Sequence, residues 1–265
     1  MLRAWQADRP TVSVVFGLRR RILFPRHTLR AESDPLRRFE GIERLARPIR
    51  GGEVEAWFMR SPSASTQRPA PVVLFAHGNG ELIEHWPDML APYLELGISV
   101  LLPEYRGYGR SAGWPSEKTI VDDCRWFLSR VCERADVERE RVILHGRSIG
   151  GGVVCSLARH VDVSAMVLWS TFTSVPAVAR RFGFPGFLVP DRFDNLQALA
   201  DVRAPTCIVH GTADTLIPVE HARALAAAVP GSELQLYDAG HNDCPPPEHW
   251  RALARFLRGA NLARS

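Results

Sequence analysis

Short, fully apolar runs alternate along the chain with longer stretches whose apolar residues recur at helical spacing. The runs are Val72–Ala76, Ile98–Leu102, Val142–Leu144, Ala165–Trp169, Thr206–Val209 and Leu234–Tyr237. A strand with one wet face alternates apolar with polar residues, whereas an unbroken run suits a strand covered on both faces, as in a parallel sheet. The stretches between them predict helices over Trp86–Leu96, Glu117–Glu133, Ser148–His160, Asn195–Asp201, Val219–Val229 and Glu248–Arg258. Ser116 is a helix start and Gly97 a helix stop. Ahead of the first run, Ile42–Ile49 and Val54–Arg60 flank Gly51-Gly52, which predicts an antiparallel hairpin at the sheet edge. Ser61–Pro71 reads as an exposed connection. The expected fold class is α/β, a three-layer sandwich around a mostly parallel central sheet.

Composition narrows the picture. With 265 residues, 46% of them hydrophobic and 23% charged, the chain is an ordinary globular one of single-domain size. No apolar run approaches the roughly 18 residues of a membrane span. Thr11–Leu18, closed by Arg19, Arg20 and Arg21, reads as neither signal peptide nor anchor, so a soluble, cytoplasmic protein is expected. Charge is uneven: residues 1–50 hold 12 Arg against five acidic residues, a net +7, against +4 for the whole chain. Residues 1–40 are therefore taken as a basic extension, of which residues 1–26 are expected to be dispensable for chemistry, and residues 41–265 as the domain. A weak contact of residues 1–50 with anionic membrane is the partner this charge suggests; without interleaved aromatics, nucleic acid is not expected. Five scattered cysteines, without CxxC spacing, read as reduced thiols. No metal or cofactor is expected.

In open α/β sheets function gathers beyond the carboxyl ends of the strands. The run Val142–Leu144 is followed by His145-Gly146-Arg147-Ser148-Ile149-Gly150, a G-x-S-x-G at a strand-to-helix junction. A serine on so sharp a turn projects its hydroxyl into a cleft, and the crowding leaves room only for glycine two positions either side. Alone the motif is weak. A serine nucleophile also needs a base, and the base needs an acid to hold its tautomer. Asp214 follows the Thr206–Val209 run and His241 follows Leu234–Tyr237, which gives the chain order Ser148, Asp214, His241. Asp238 and Asp243 are alternative acids beside His241. The oxyanion donors expected are the N–H groups of Ile149 and of Asn79, which lies in His77-Gly78-Asn79-Gly80 after the first run. His145 and His210 read as buried, hydrogen-bonded histidines, Arg147 as pairing with a carboxylate from a neighbouring helix, and Cys244 as a packing thiol.

These blocks, with PEYRGYGRSAGWPSE at 103–117, HGTADTLIP at 210–218 and GHND at 240–243, resemble the α/β-hydrolase superfamily and, within it, the Bem46-like branch of serine hydrolases over roughly residues 40–260. The resemblance implies an α/β-hydrolase sandwich, with Ser148, Asp214 and His241 as nucleophile, acid and base, and Asn79 and Ile149 at the oxyanion hole. It also places Tyr105–Ser111 on the border of the same cleft. Eukaryotic members of that branch commonly carry an N-terminal anchor where this chain has its basic segment. Residues 171–194 read as a short, irregular, apolar cap, whose Phe172, Phe182, Phe184 and Phe187 are the candidate substrate-binding residues. An apolar lining favours a small ester or thioester over a phosphate or sugar. The expected activity is serine-dependent ester or thioester hydrolysis through an acyl-enzyme. The alternatives are a hydrolase-fold ligand-binding protein with little turnover and a peptidase-type serine hydrolase.

Overall fold

The computed structural model describes residues 23–24, 31–243, 246 and 248–263. Cys244 and most of the basic segment lie outside them. A hairpin of β1 (Ile42–Ile49) and β2 (Gly52–Met59) opens the sheet, followed by β3 (Ala70–Ala76) and α1 (Pro87–Glu95). Next come β4 (Ser99–Pro103), α2 (Glu117–Cys132), β5 (Val137–Arg147), α3 (Ile149–Ala158) and β6 (Ala165–Trp169). The chain continues through α4 (Val175–Arg181), α5 (Asn195–Leu199), β7 (Thr206–Gly211), α6 (Glu220–Ala228), β8 (Glu233–Tyr237) and α7 (Glu248–Gly259). Among the described residues the strands form one sheet in the order β1-β2-β4-β3-β5-β6-β7-β8. β2 runs antiparallel to both its neighbours, and every pair from β4 to β8 is parallel. The predicted α/β class, hairpin edge and parallel sheet are what the chain adopts.

The unbroken apolar runs have a direct cause. Along β3, Val72, Leu74 and Ala76 belong to one hydrophobic core, while Val73 and Phe75 belong to another on the opposite face. Helices α2, α3, α5 and α6 cover the first core, and α1 and α7 the second. Both strand faces are dry, so both parities of the strand must be apolar. The run read at Val142–Leu144 belongs to a longer strand, because Glu138, Arg139 and Glu140 enter β5 on its wet, exposed start. Ser116 caps α2 by accepting the N–H of Thr119 at 3.1 Å.

Two expectations need correction here. The first is the boundary of the basic extension at residue 40. Phe24 is 1% exposed within the first core, the Glu32 N–H donates to Glu84 Oε1 at 3.1 Å, and Phe39 packs edge-on to Trp57. Counting arginines did not reveal that a phenylalanine among them is drawn inside. The second concerns residues 171–194, which are not wholly irregular. They contain α4, capped by Ser174, and a single helical turn at Gly186–Leu188.

Candidate active site

Ser148 sits between β5 and α3 with φ 53° and ψ −117°, a conformation L residues avoid. The surroundings hold it there. Its N–H donates to Trp169 O at 2.8 Å, and its carbonyl accepts the Thr171 hydroxyl at 2.7 Å. A Cβ on Gly146 would collide with the backbone of Gly150, and a Cβ on Gly150 with the carbonyl of Ala76. Hence the glycines of the motif: the turn is so tight that neighbouring main chain occupies the side-chain space. Ile149 opens α3, so its N–H is among those a helix leaves without an intrahelical acceptor.

The loop after β7 brings Asp214, and the loop after β8 brings His241. The Asp214 Oδ1 accepts the N–H groups of Leu216 (2.9 Å) and Ile217 (2.8 Å), which leaves Oδ2 for His241 Nδ1–H at 2.7 Å. His241 Nε2 then faces the Ser148 hydroxyl at 3.2 Å. The structure thus brings together the three side chains from residues 148, 214 and 241. Burial opposes ionisation of Asp214, but the hydrogen bonds from His241 and Ile217 outweigh it and hold the carboxyl below its usual range. Of the alternative acids, Asp243 accepts the Gly240 N–H instead, and Asp214 is the carboxylate on Nδ1.

The other expected residues divide. Asn79 stands exposed in the loop after β3. Its side chain is clamped, with Oδ1 accepting the Tyr108 hydroxyl at 2.6 Å and Nδ2 donating to Leu23 O at 2.5 Å. His145 is fully buried against the Tyr93 hydroxyl (2.9 Å), and His210 donates to Ile217 O (2.7 Å); burial lowers the pKa of both. Arg147 does find a carboxylate, but it is Glu81, from the loop after β3 and not from a helix. The four cap phenylalanines share no lining. Phe172, which directly follows the elbow-bracing Thr171, is buried in the first core, whereas Phe182, Phe184 and Phe187 are 62%, 37% and 83% exposed.

Sequence reasoning missed Glu104, which braces the loop after β3 from beneath. Glu104, 1% exposed, binds His77 Nε2 (2.9 Å) and the N–H groups of Ile83 and Tyr105, while Tyr105 donates to His77 O at 2.7 Å. Glu104 and Tyr105 open the PEYRGYGRS block, so the signal was present. What it lacked was the partner 27 residues upstream. Among the described residues no group of three or more His, Cys, Asp or Glu is placed to hold a metal ion, and no helix is long and apolar enough to cross a membrane.

A family model described as the alpha/beta hydrolase fold matches residues 71–204. The chain belongs to the α/β-hydrolase family. Its relatives include an uncharacterized protein, YfhR, of Salmonella typhimurium, 32% identical over 212 residues that span 73% of this chain and 72% of YfhR. The α/β hydrolase domain-containing protein WAV2 of Arabidopsis thaliana is 29% identical over 67% of this chain and 63% of its own. Among solved α/β-hydrolase-like folds, an acetyl xylan esterase from Paenibacillus superposes with a TM-score of 0.67, at 19% identity over 83% of this chain and 85% of the esterase. A Pyrococcus furiosus esterase gives 0.63, at 19% identity over 82% and 92%. At such identities the likeness is one of fold.

Proposed function

We propose that this α/β-hydrolase family member, of the Bem46-like branch, is a serine hydrolase that cleaves small carboxylic esters, and thioesters by the same chemistry, in the cytoplasm. The observation that carries the reading is the unbroken hydrogen-bond chain from the Ser148 hydroxyl through His241 to a buried, ionised Asp214, with the serine held in a strained turn. In the reaction Ser148 Oγ attacks the ester carbonyl carbon while His241 Nε2 takes its proton. Asp214 keeps the imidazole in the tautomer that can accept it and stabilises the imidazolium. The carbonyl oxygen, now negative, is met by the N–H groups of Ile149 and Asn79. The imidazolium gives its proton to the departing alkoxide, leaving an acyl-serine. Water, deprotonated by the same imidazole, then releases the acid and restores Ser148.

The exposed cap phenylalanines offer apolar surface without enclosing a long chain. Each methylene that stays in contact in the transition state is worth about 0.8 kcal/mol, close to fourfold in kcat/KM. The test combines labelling by a fluorophosphonate with a p-nitrophenyl ester series. Labelling is expected in the wild-type protein and absent in Ser148→Ala, and kcat/KM should rise from acetate to an acyl chain of about four to eight carbons, then level off. A wild-type protein that neither labels nor turns over any ester would leave a binding protein in place of an enzyme.

A further inference from the structure

Arg147 stands between Gly146 and Ser148, at the last position of β5, with a side chain only 7% exposed. A guanidinium so buried costs free energy unless each face of its fork is matched. Here each end of the fork reaches a different loop. Nη1 pairs with Glu81 Oε1, and the other oxygen of that carboxylate accepts the Gly78 N–H at 2.6 Å. Nη2 donates to the carbonyl of His241 at 3.1 Å and to Asn242 Oδ1 at 3.0 Å. Trp86 and Trp169 flank the guanidinium, their ring centroids 5.9 and 5.5 Å from Cζ, and fix its plane. Gly78 records how close the fit is: a Cβ there would lie 2.7 Å from Nη1.

We propose that Arg147 is a positioning residue that fastens the base loop and the oxyanion loop to the nucleophile elbow. It acts through others. One hand holds the main chain of the base His241; the other, through Glu81, holds the amide of Gly78 next to Asn79. The residue before the nucleophile therefore sets where the base and the oxyanion donors stand relative to Ser148 Oγ. Lysine cannot substitute, because a single ammonium does not present two separated, coplanar donors.

The inference rests on the serine-hydrolase reading, and the experiment keeps the two separable. The rate of fluorophosphonate labelling and the ester kinetics are measured alongside the imidazole NMR signals and titration of His241, in wild type, Arg147→Met, Arg147→Lys and Asn242→Ala. In Arg147→Met we expect labelling and kcat to fall about 100-fold, as a misplacement of roughly 1 Å does, with KM within about threefold and the His241 signals shifted. Arg147→Lys should recover only part of that loss. Asn242→Ala, at an exposed position that does not threaten the fold, should slow labelling about threefold to tenfold by removing one charge-assisted hydrogen bond. Wild-type rates with unmoved His241 signals in Arg147→Met overturn the proposal, and so does a wild-type rate in Asn242→Ala should Arg147→Met fail to fold. If the wild-type protein itself does not label, the hydrolase reading fails, and the His241 signals alone decide: shifted in the variants for positioning, unmoved against it.

Discussion

Ser148 is flanked by two regions built on opposite plans. On one side the loops after β3, β4 and β5 are braced by buried ions. Glu104 gathers His77, Ile83 and Tyr105; Arg110 spans Glu55 and Glu84; Asp123 holds Arg47 and Arg106; and Arg147 ties Glu81 to the loop after β8. On the other side the cap at residues 171–194 is anchored at its ends. The Val175 N–H donates to Arg192 O at 2.9 Å, and Glu117 Oε2 accepts the N–H groups of Arg192 and Phe193. Its middle leaves Phe182 and Phe187 largely in solvent. Fixed dipoles are needed where charge develops, because reorganising them during the reaction would cost the stabilisation they provide. In the proposed reaction the acyl group varies in length and gains from contact rather than from aim.

Four measurements bear on that contrast. The largest effect should come from Asp214→Asn, which leaves shape and volume alone but presents the wrong group to His241 Nδ1. We expect kcat to fall by about 10³ to 10⁴ with little change in Tm. A variant that keeps its activity but melts early would mean that the Asp214 carboxylate serves the fold and not the chemistry.

Next in size is Phe24→Ala. Phe24 is 1% exposed, and Leu23 O accepts from the Asn79 side chain, so this stretch is part of the braced side. Removing a buried phenylalanine costs about 3–5 kcal/mol in a urea melt. A loss below about 0.5 kcal/mol, the range of an ordinary surface substitution, would return the segment to the status of a dispensable arm.

Acid tests chiefly the body, because the cap itself contains no histidine. Burial pushes His249 from 6.5 down to about 4 and holds His145 well below its ordinary value, both as neutral rings. The unfolded chain takes up these protons near pH 6.5 and the folded chain only lower, so stability is lost as pH falls from about 6.5 to 4. His249 alone accounts for at most about 3 kcal/mol of this loss. Denaturant melts at pH 7, 5.5 and 4 should show it, and identical curves at the three values would contradict the neutral assignment. Cap variants should follow the same pH curve.

The smallest effect on stability should come from replacing Phe182, Phe184 and Phe187 with serine. Exposed positions contribute within about 0.5 kcal/mol each, so Tm should barely move while the preference for longer acyl chains flattens. A large fall in Tm would show that the middle of the cap packs as tightly as the braced side, and the contrast would collapse.

How much of this was legible in the chain depends on the range of the interactions. Local composition dictates the layers, because a strand dry on both faces must be apolar at every position: Ala165–Trp169 is a strand with the bounds its composition predicts. Local sequence also dictates the elbow, since only glycine tolerates the main-chain approaches at Gly146 and Gly150. The order of Ser148, Asp214 and His241 followed because each stands just past a strand that could be read. The rest depends on contacts between residues far apart in the chain. Arg147 meets Glu81 across 66 residues and the His241 carbonyl across 94, and which carboxylate neutralises a buried charge depends on where loops meet. Phe172 and Phe187 are equally hydrophobic, yet one is in the core and the other 83% exposed. Phe24 lies among arginines and is drawn inside. Burial belongs to a residue's neighbours in space, and those are set by the fold of the whole chain rather than by the residue's own chemistry.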